Sequence, residues 1–290
     1  MEQVYLNGRF LPLSEAQVPV MDRGFLFGDG VYEVIPAYGG RPLRLPHHLA
    51  RLDDSLAGIR LANPLTAAAW ERILAVLIEP FPKIQDVSVY IQITRGVAPK
   101  RDHAFPVGVN PTVFAMASPI TPPPAVWLEE GVAAVVLEDL RWQLCHLKTI
   151  TLLANVLLRQ TAVEAGAVEA ILVRDGRVTE GAASNLFVCR EGRLLTPPKG
   201  PALLPGITRD LVLELAERHG IAWGEEILPL ATLQDASEIW LTSSTREILP
   251  VTRLDGRPVG EGKPGPIWRR LWALYQDYKD HLRRGEPDEP

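Results

Sequence analysis

Apolar residues at Leu45, Leu49, Leu52, Leu56 and Ile59 recur every three or four positions, which predicts a helix over 45–61. A second helix is predicted over 66–78, stopped by Pro80 and Pro82. The β-rich run at 31–38 ends at Gly39-Gly40, and 87–94 and 111–117 also read as strands. Residues 4–11 read as a hairpin about Asn7-Gly8, a pair that accepts the positive φ values of a type I′ turn. Prolines at 119, 122, 123 and 124 make 118–124 stiff and extended, the best interdomain linker in the chain.

Beyond the linker the pattern predicts a strand at 131–137 and a helix at 149–165. Short strands at 170–173 and 177–179 flank Asp175-Gly176, and others at 186–188 and 194–195 flank Glu191-Gly192. A helix at 207–219, a strand at 239–242, a last helix at 265–282 and a frayed tail at 285–290 complete the reading. The irregular alternation of strands and helices predicts a two-domain α/β (α+β) chain. Its parts are an N-terminal domain at 1–117, the linker at 118–124, and a C-terminal domain at 125–290.

Composition narrows the classes. Thirty basic against 35 acidic residues give a net charge of −5, which argues against nucleic-acid binding through a broad basic face. No apolar run approaches the roughly 18 residues of a membrane span, and the start lacks the basic and apolar regions of a signal peptide. The two cysteines, Cys145 and Cys189, form no metal-ligand pattern. A cytoplasmic, disulfide-free protein without a metal is expected.

Candidate chemistry begins with the six lysines, of which Lys148 alone sits in apolar company, between Leu147 and Ile150. A partly desolvated lysine is the kind that loses its proton and becomes a nucleophile. Glu180, in Thr179-Glu180-Gly181, is a carboxylate that could keep a pyridine ring protonated. Gly206-Ile207-Thr208 opens an amphipathic helix, whose free N–H groups and dipole suit an anion. Arg51, read as lying on the polar side of the first helix, offers a guanidinium fork, and Ser244 a further hydroxyl. Gly28-Asp29-Gly30 lacks the spacing of a nucleotide loop and reads as the turn before Tyr32. The loop at 94–106 is locally cationic, and its Arg101 and His103 could jointly hold a carboxylate. Each feature alone also has a plain structural reading: a snorkelling lysine, a hairpin glutamate, a capped helix, a solvated loop.

The motifs together carry more. Phe27-Gly28-Asp29-Gly30-Val31-Tyr32-Glu33 comes first, then His48, Arg51 and Leu52 in a His-x-x-Arg-Leu spacing. Arg141-Trp142 precedes Lys148, and the run from Val178 to Phe187 and Leu204-Pro205-Gly206-Ile207-Thr208-Arg209 follow in order. This series resembles the class IV aminotransferases, the fold-type IV pyridoxal-phosphate (PLP) enzymes, from about Tyr5 to Trp268. The resemblance implies a smaller N-terminal α/β domain and a larger C-terminal domain with a barrel-like sheet. It implies that Lys148 carries the cofactor and shuttles the α-proton, and that Glu180 pairs with the pyridine nitrogen. Arg51, Leu204, Ile207, Thr208 and Ser244 would complete the cofactor site. The Arg101-x-His103 spacing is more similar to the D-amino acid group of the family, where this pair and the tyrosine at Tyr32 take the substrate α-carboxylate. In that family the loop enters the active site of the neighbouring subunit, implying a homodimer.

The resemblance therefore implies amino transfer from a D-amino acid, D-alanine first, to 2-oxoglutarate. The alternatives are a branched-chain L-amino acid aminotransferase, an aminodeoxychorismate lyase, and a non-catalytic PLP-binding protein. Three departures from the family pattern bear on substrate choice. The loop is one residue longer, so Lys100 competes with Arg101 for the carboxylate role. His146 stands where an acidic or amide residue is usual, and Ala182 and Ala183 replace hydroxyl residues.

Overall fold

Asn7 and Gly8 turn with φ of 47° and 89° and join β1 (Gln3–Leu6) to β2 (Arg9–Pro12) in the tight hairpin that this pair predicts. A computed structural model describes residues 3–286, so of the tail predicted to fray over 285–290 the part from 287 on lies outside the described residues. The chain forms two units. One holds the chain up to Ile120 together with Leu147–Leu152; the other holds Thr121–His146 and Leu153–His281. The segment carrying Lys148, expected with the C-terminal half, thus packs with the first unit.

In the first unit, α1 (Arg23–Phe27) precedes β3 (Gly30–Tyr38), β4 (Arg41–Pro42), α2 (Leu45–Gly58), α3 (Ala67–Ile78), β5 (Val87–Thr94) and β6 (Thr112–Pro119). The sheet runs β2-β1-β6-β5-β3-β4 with every neighbour antiparallel. Alternate positions Val31, Ile35 and Ala37 of β3, with Val89, Ile91 and Ile93 of β5, bury against Leu49, Leu52 and Leu56 of α2 and Trp70 and Leu74 of α3. This is the half-buried pattern that made strands and helices legible. Thr66 caps α3, its Oγ1 accepting from the Ala69 N–H at 3.3 Å. β6 runs two residues into the predicted linker, because Pro119 closes the strand opposite Val87.

The short β4 covers β3 only at Ala37 and Tyr38, leaving the start of β3 without a neighbour on that side. The Lys148 segment fills this edge. Tyr32 N–H donates to Lys148 O at 2.9 Å and Ile150 N–H to Gly30 O at 3.1 Å, while Lys148 N–H donates to Ser55 Oγ at 3.1 Å. The predicted helix over 149–165 therefore starts later, at Leu153, because the backbone before it is engaged by β3.

The second unit contains α4 (Ala125–Glu129), β7 (Val132–Glu138), α5 (Leu153–Glu164), β8 (Glu169–Arg174), β9 (Arg177–Gly181), β10 (Asn185–Arg190) and β11 (Arg193–Thr196). α6 (Ile207–Arg218), β12 (Trp223–Glu225), β13 (Leu228–Pro229), β14 (Glu238–Ser243), β15 (Glu247–Leu254), β16 (Arg257–Pro258) and α7 (Pro266–Arg284) follow. A ten-stranded, curled half-barrel sheet has the order β12-β11-β10-β14-β15-β7-β8-β9-β13, with β16 on β15. Ile171, Leu186, Val188, Leu241 and Leu249 are among its core residues. β15 is the longest strand the pattern missed. Pro250 interrupts it, and a proline argues against a central strand. It nevertheless pairs antiparallel with β14 and parallel with β7, with a register shift between Val251 and Arg253. Among the described residues no helix is long and apolar enough to cross a membrane.

Candidate active site

Lys148 is half-buried, and its Nζ lies 4.1 Å from the centroid of the Tyr32 ring. Tyr32 in turn packs on Tyr90 at 5.8 Å. Strand alternation puts Tyr32 on the face of β3 opposite the core, so the lysine and the phenol meet because the Lys148 backbone runs along the β3 edge. Lys148 is not the only lysine withdrawn from solvent. Lys279 is buried on α7, where Glu247 takes its ammonium in an ion pair and Gln276 accepts at 3.1 Å. A buried lysine with a carboxylate partner is a structural ion pair, which the local sequence of a helix does not reveal.

Arg51 is not on a polar face. It is buried, with Nε donating to Glu33 Oε1 at 2.7 Å and Nη2 to Glu33 Oε2 at 2.8 Å. His48, one turn earlier, donates from Nδ1 to the same Oε2 at 2.8 Å. The reason is Glu33: it sits on the core face of β3, fully buried, and a carboxylate there requires several donors. Burial alone would raise the Glu33 carboxyl, but the Arg51 charge and hydrogen bonds, with His48, hold it well below the usual carboxylate range. Burial lowers His48 despite Glu33, with Arg51 and Lys148 adding to that, so it donates as a neutral imidazole. Arg51→Met should therefore cost the cofactor-free protein about 3–5 kcal/mol in urea unfolding, by leaving Glu33 buried and half-partnered. In the intact protein the contribution of Glu33 is full at neutral pH and is lost only as pH falls below the usual carboxylate range.

Arg101 and His103 are exposed, and both rest on one ring. The Arg101 guanidinium lies 5.1 Å from the Phe27 centroid, and the His103 ring lies 5.1 Å from it. Lys100, the competing residue, is exposed and paired with Asp102 at 3.1 Å. Gly28, with φ of 65°, ends α1 in the left-handed conformation. It lets Asp29 turn its carboxylate between Arg23 Nε at 2.7 Å and Arg95 Nε at 2.8 Å. The Gly28-Asp29-Gly30 turn thus has an electrostatic role that the sequence reading did not assign.

In the second unit Glu180, at the end of β9, is buried under three donors. Arg141 Nη1 donates to Oε1; Asn185 Nδ2 and the Leu204 N–H each donate to Oε2 at 3.0 Å. Arg141 is itself anchored on Asp139, through Nε and Nη2 at 2.9 Å each. Burial pushes the Glu180 carboxyl up, to about 7, against the pull of Arg141 and the Leu204 N–H. Oε2 has both lone pairs engaged, while Oε1 keeps one acceptor position. One further cationic donor there would hold the carboxylate ionised. The sequence pattern does not single out Asn185 or Asp139, although Asn185 follows Glu180 by five residues in the run from Val178 to Phe187.

Asn185 also organises the start of α6. It faces Thr242 across the β10–β14 pair, and a Cβ on Gly206 would come within 1.9 Å of Asn185 Oδ1, so only glycine allows this approach. Gly206 gives α6 no side-chain cap, and Ile207 and Thr208 form its buried first turn. Thr242 Oγ1 is buried with no partner among the described residues. Ser244 is half-buried in the turn between β14 and β15. Among the described residues no hydrogen bond joins it to the other site residues. Of the departures noted in the sequence, Ala182 is buried with its carbonyl accepting from Asn155 Nδ2 at 2.7 Å, and Ala183 is exposed. The expected residues fall in both units: Lys148, Tyr32, Arg51, Arg101 and His103 in the first, Glu180, Leu204, Ile207, Thr208 and Ser244 in the second.

The first unit thus sets the Lys148 amine beside the Tyr32 phenol, and the second holds the Glu180 carboxylate backed by Arg141 and the uncapped start of α6. The Amino-transferase class IV family profile matches residues 30–254, so the chain belongs to that family and is a PLP-dependent aminotransferase. The D-alanine aminotransferase of Bacillus licheniformis is 40% identical over 275 residues, covering 95% of this chain and 96% of that relative. The D-alanine aminotransferase of Staphylococcus aureus (strain COL) is 39% identical over 279 residues, covering 96% and 98%. Among solved structures, the branched-chain amino acid aminotransferase of Escherichia coli matches with a TM-score of 0.90 at 28% identity, covering 95% of this chain and 94% of that one. A hypothetical aminotransferase from Mycobacterium tuberculosis in its PLP-bound form matches at 0.81 and 27%, covering 94% and 97%.

The residues present fit this cofactor on their own chemistry. The open position of Glu180 Oε1 suits a protonated ring nitrogen, and the uncapped α6 start, with the orphaned Thr242 hydroxyl, suits a phosphate.

Proposed function

We propose that the protein transfers the amino group of a D-amino acid, D-alanine first, to 2-oxoglutarate, giving a 2-oxo acid and D-glutamate. Lys148 carries the cofactor and Glu180 pairs with its ring nitrogen. Arg51, Leu204, Ile207, Thr208 and Ser244 complete the cofactor set, in which the first turn of α6 takes the phosphate. PLP, when bound, supplies the electron sink that stabilises a carbanion at the amino acid α-carbon. Lys148 Nζ takes the substrate α-proton and holds it for return. The Glu180 carboxylate, backed by Arg141, keeps a proton on the ring nitrogen. Tyr32, Arg101 and His103 bind and orient the substrate α-carboxylate.

The observation that carries the D-specific reading is the pair Arg101 and His103, both against the Phe27 ring, in a chain 40% identical to a D-alanine aminotransferase. The branched-chain reading remains second, favoured by the likeness to the E. coli branched-chain enzyme. A homodimer in the cytoplasm is part of the proposal. It is supported by the exposed apolar side chains of α5, where Leu153 is 70%, Val156 59% and Leu157 57% exposed.

Arg101→Ala tests the reading. It should lower kcat/KM for D-alanine by about one to two decades, since a charge-assisted contact to a carboxylate is worth about 1.5–3 kcal/mol. The cofactor spectrum should stay unchanged. His103→Ala should act in the same direction but more weakly, and Lys100→Ala should matter little. A crippled Lys100→Ala with a healthy Arg101→Ala would shift the carboxylate role by one residue.

A further inference from the structure

The loop that carries Arg101 and His103 has no core of its own. It contains no helix or strand from Pro99 to Pro111, and Val107 at its far side is 98% exposed. Such a segment takes its shape from what grips its backbone. The grip here is one side chain. Arg23 is only 3% exposed, and its Nη1 donates to Asp102 O at 2.5 Å and to Ala104 O at 3.3 Å, while Nη2 donates to His103 O at 3.1 Å. Three successive carbonyls of an otherwise exposed loop thus converge on one buried guanidinium.

That guanidinium is itself fixed. Its Nε donates to Asp29 Oδ2 at 2.7 Å, and Asp29 also holds Arg95, whose Nη2 donates to Ile59 O at 2.7 Å. The Arg95 guanidinium lies 3.7 Å from the centroid of Phe105, the residue after the gripped Ala104. Asp22, the cap of α1, accepts from Thr112 Oγ1 at 2.6 Å, tying the helix to the strand where the loop ends. Arg23 also lies 4.8 Å from the Phe27 centroid, so the ring shared by Arg101 and His103 is set by the same group. The planar fork of arginine is required for this; the single ammonium of a lysine cannot address three carbonyls and a carboxylate in different directions.

We infer that Arg23 is a positioning residue for substrate recognition: through the carbonyls of Asp102, His103 and Ala104 it presents Arg101 and His103 to the substrate carboxylate. The inference rests on the assignment of Arg101 and His103 given under the proposed function. Arg23 spends its guanidinium on Asp29 and the loop carbonyls, so its loss acts on carboxylate binding and not on the chemical step.

The test uses the PLP-loaded enzyme and two readouts: steady-state kinetics with D-alanine, and calorimetric binding of propionate, an unreactive carboxylate. In Arg23→Gln, Asp29 keeps Arg95 as a partner. The variant should raise the KM for D-alanine and the Kd for propionate about tenfold each, with kcat within about twofold and the cofactor absorbance unchanged. Arg23→Lys should not restore either value. Phe27→Leu is the second variant, should Arg23→Gln not fold, and should move both values the same way by about threefold. Arg101→Ala is measured in parallel. If Arg101→Ala weakens propionate binding while Arg23→Gln does not, or if Arg23→Lys behaves as wild type, the positioning role is wrong. If Arg101→Ala leaves both values unmoved, the carboxylate assignment fails and the inference falls with it.

Discussion

Lys148→Ala should lose about three to four decades of kcat with D-alanine, the upper range for removing a positioned general base. The protein should still fold, because the Lys148 backbone and not its side chain closes the edge of β3. Its amide and carbonyl contacts to Ser55 and Tyr32 survive truncation at Cβ. The same substitution should abolish borohydride labelling, which in the wild type should map to the peptide containing Lys148. Five other lysines compete for the label. Lys279, the buried one, is excluded by its ion pair with Glu247. Label on any of the five would move the covalent link away from the Tyr32 neighbourhood.

Glu180→Gln is expected to be the second most damaging change, slowing single-turnover transamination by about two to three decades, in the range seen when one preorganised electrostatic group is removed. An amide is isosteric and can still accept from Asn185 or Leu204, so cofactor binding should persist. What it lacks is the charge that holds a proton on the ring nitrogen. The change also leaves Arg141 facing a neutral partner, although Asp139 continues to hold two of its nitrogens. Near-normal single-turnover rates in this variant would show that the Glu180 carboxylate has no part in storing charge. Cofactor affinity, read by equilibrium dialysis, separates loss of binding from loss of chemistry.

What the sequence made legible was local. Period-two alternation in β3 and β5 and the apolar stripe of α2 predicted those elements, because each buries one face against the other. The motif around Glu180 and the Gly206 start of α6 were equally readable, since the residues that define them lie within a few positions of one another. Non-local features were hidden. Arg51 sits one turn from His48 on a helix whose polar side looked solvated, and only the fold brings Glu33 from β3 beneath it. Arg23 contacts carbonyls about 80 residues away in the chain, and Arg95 reaches Asp29 across 66 residues. The segment before α5 looked helical because its pattern continues that of α5, yet the uncovered β3 edge pulls it straight. β15 was lost to a single proline, which the fold nevertheless seats opposite Trp240 in the regular β14–β15 register.

D-selective amino transfer is the central property proposed for this class IV enzyme. A half-reaction measures it most directly: the PLP form of the purified protein is mixed separately with D-alanine and with L-leucine, and the fall of the cofactor absorbance is followed in a stopped-flow instrument. D-alanine should bleach the band in a single turnover, and added 2-oxoglutarate should restore it. L-leucine should be slower by at least about two decades, the discrimination expected when a carboxylate clamp fixes one face of the substrate. Faster bleaching by L-leucine than by D-alanine would contradict the account and make the protein a branched-chain aminotransferase.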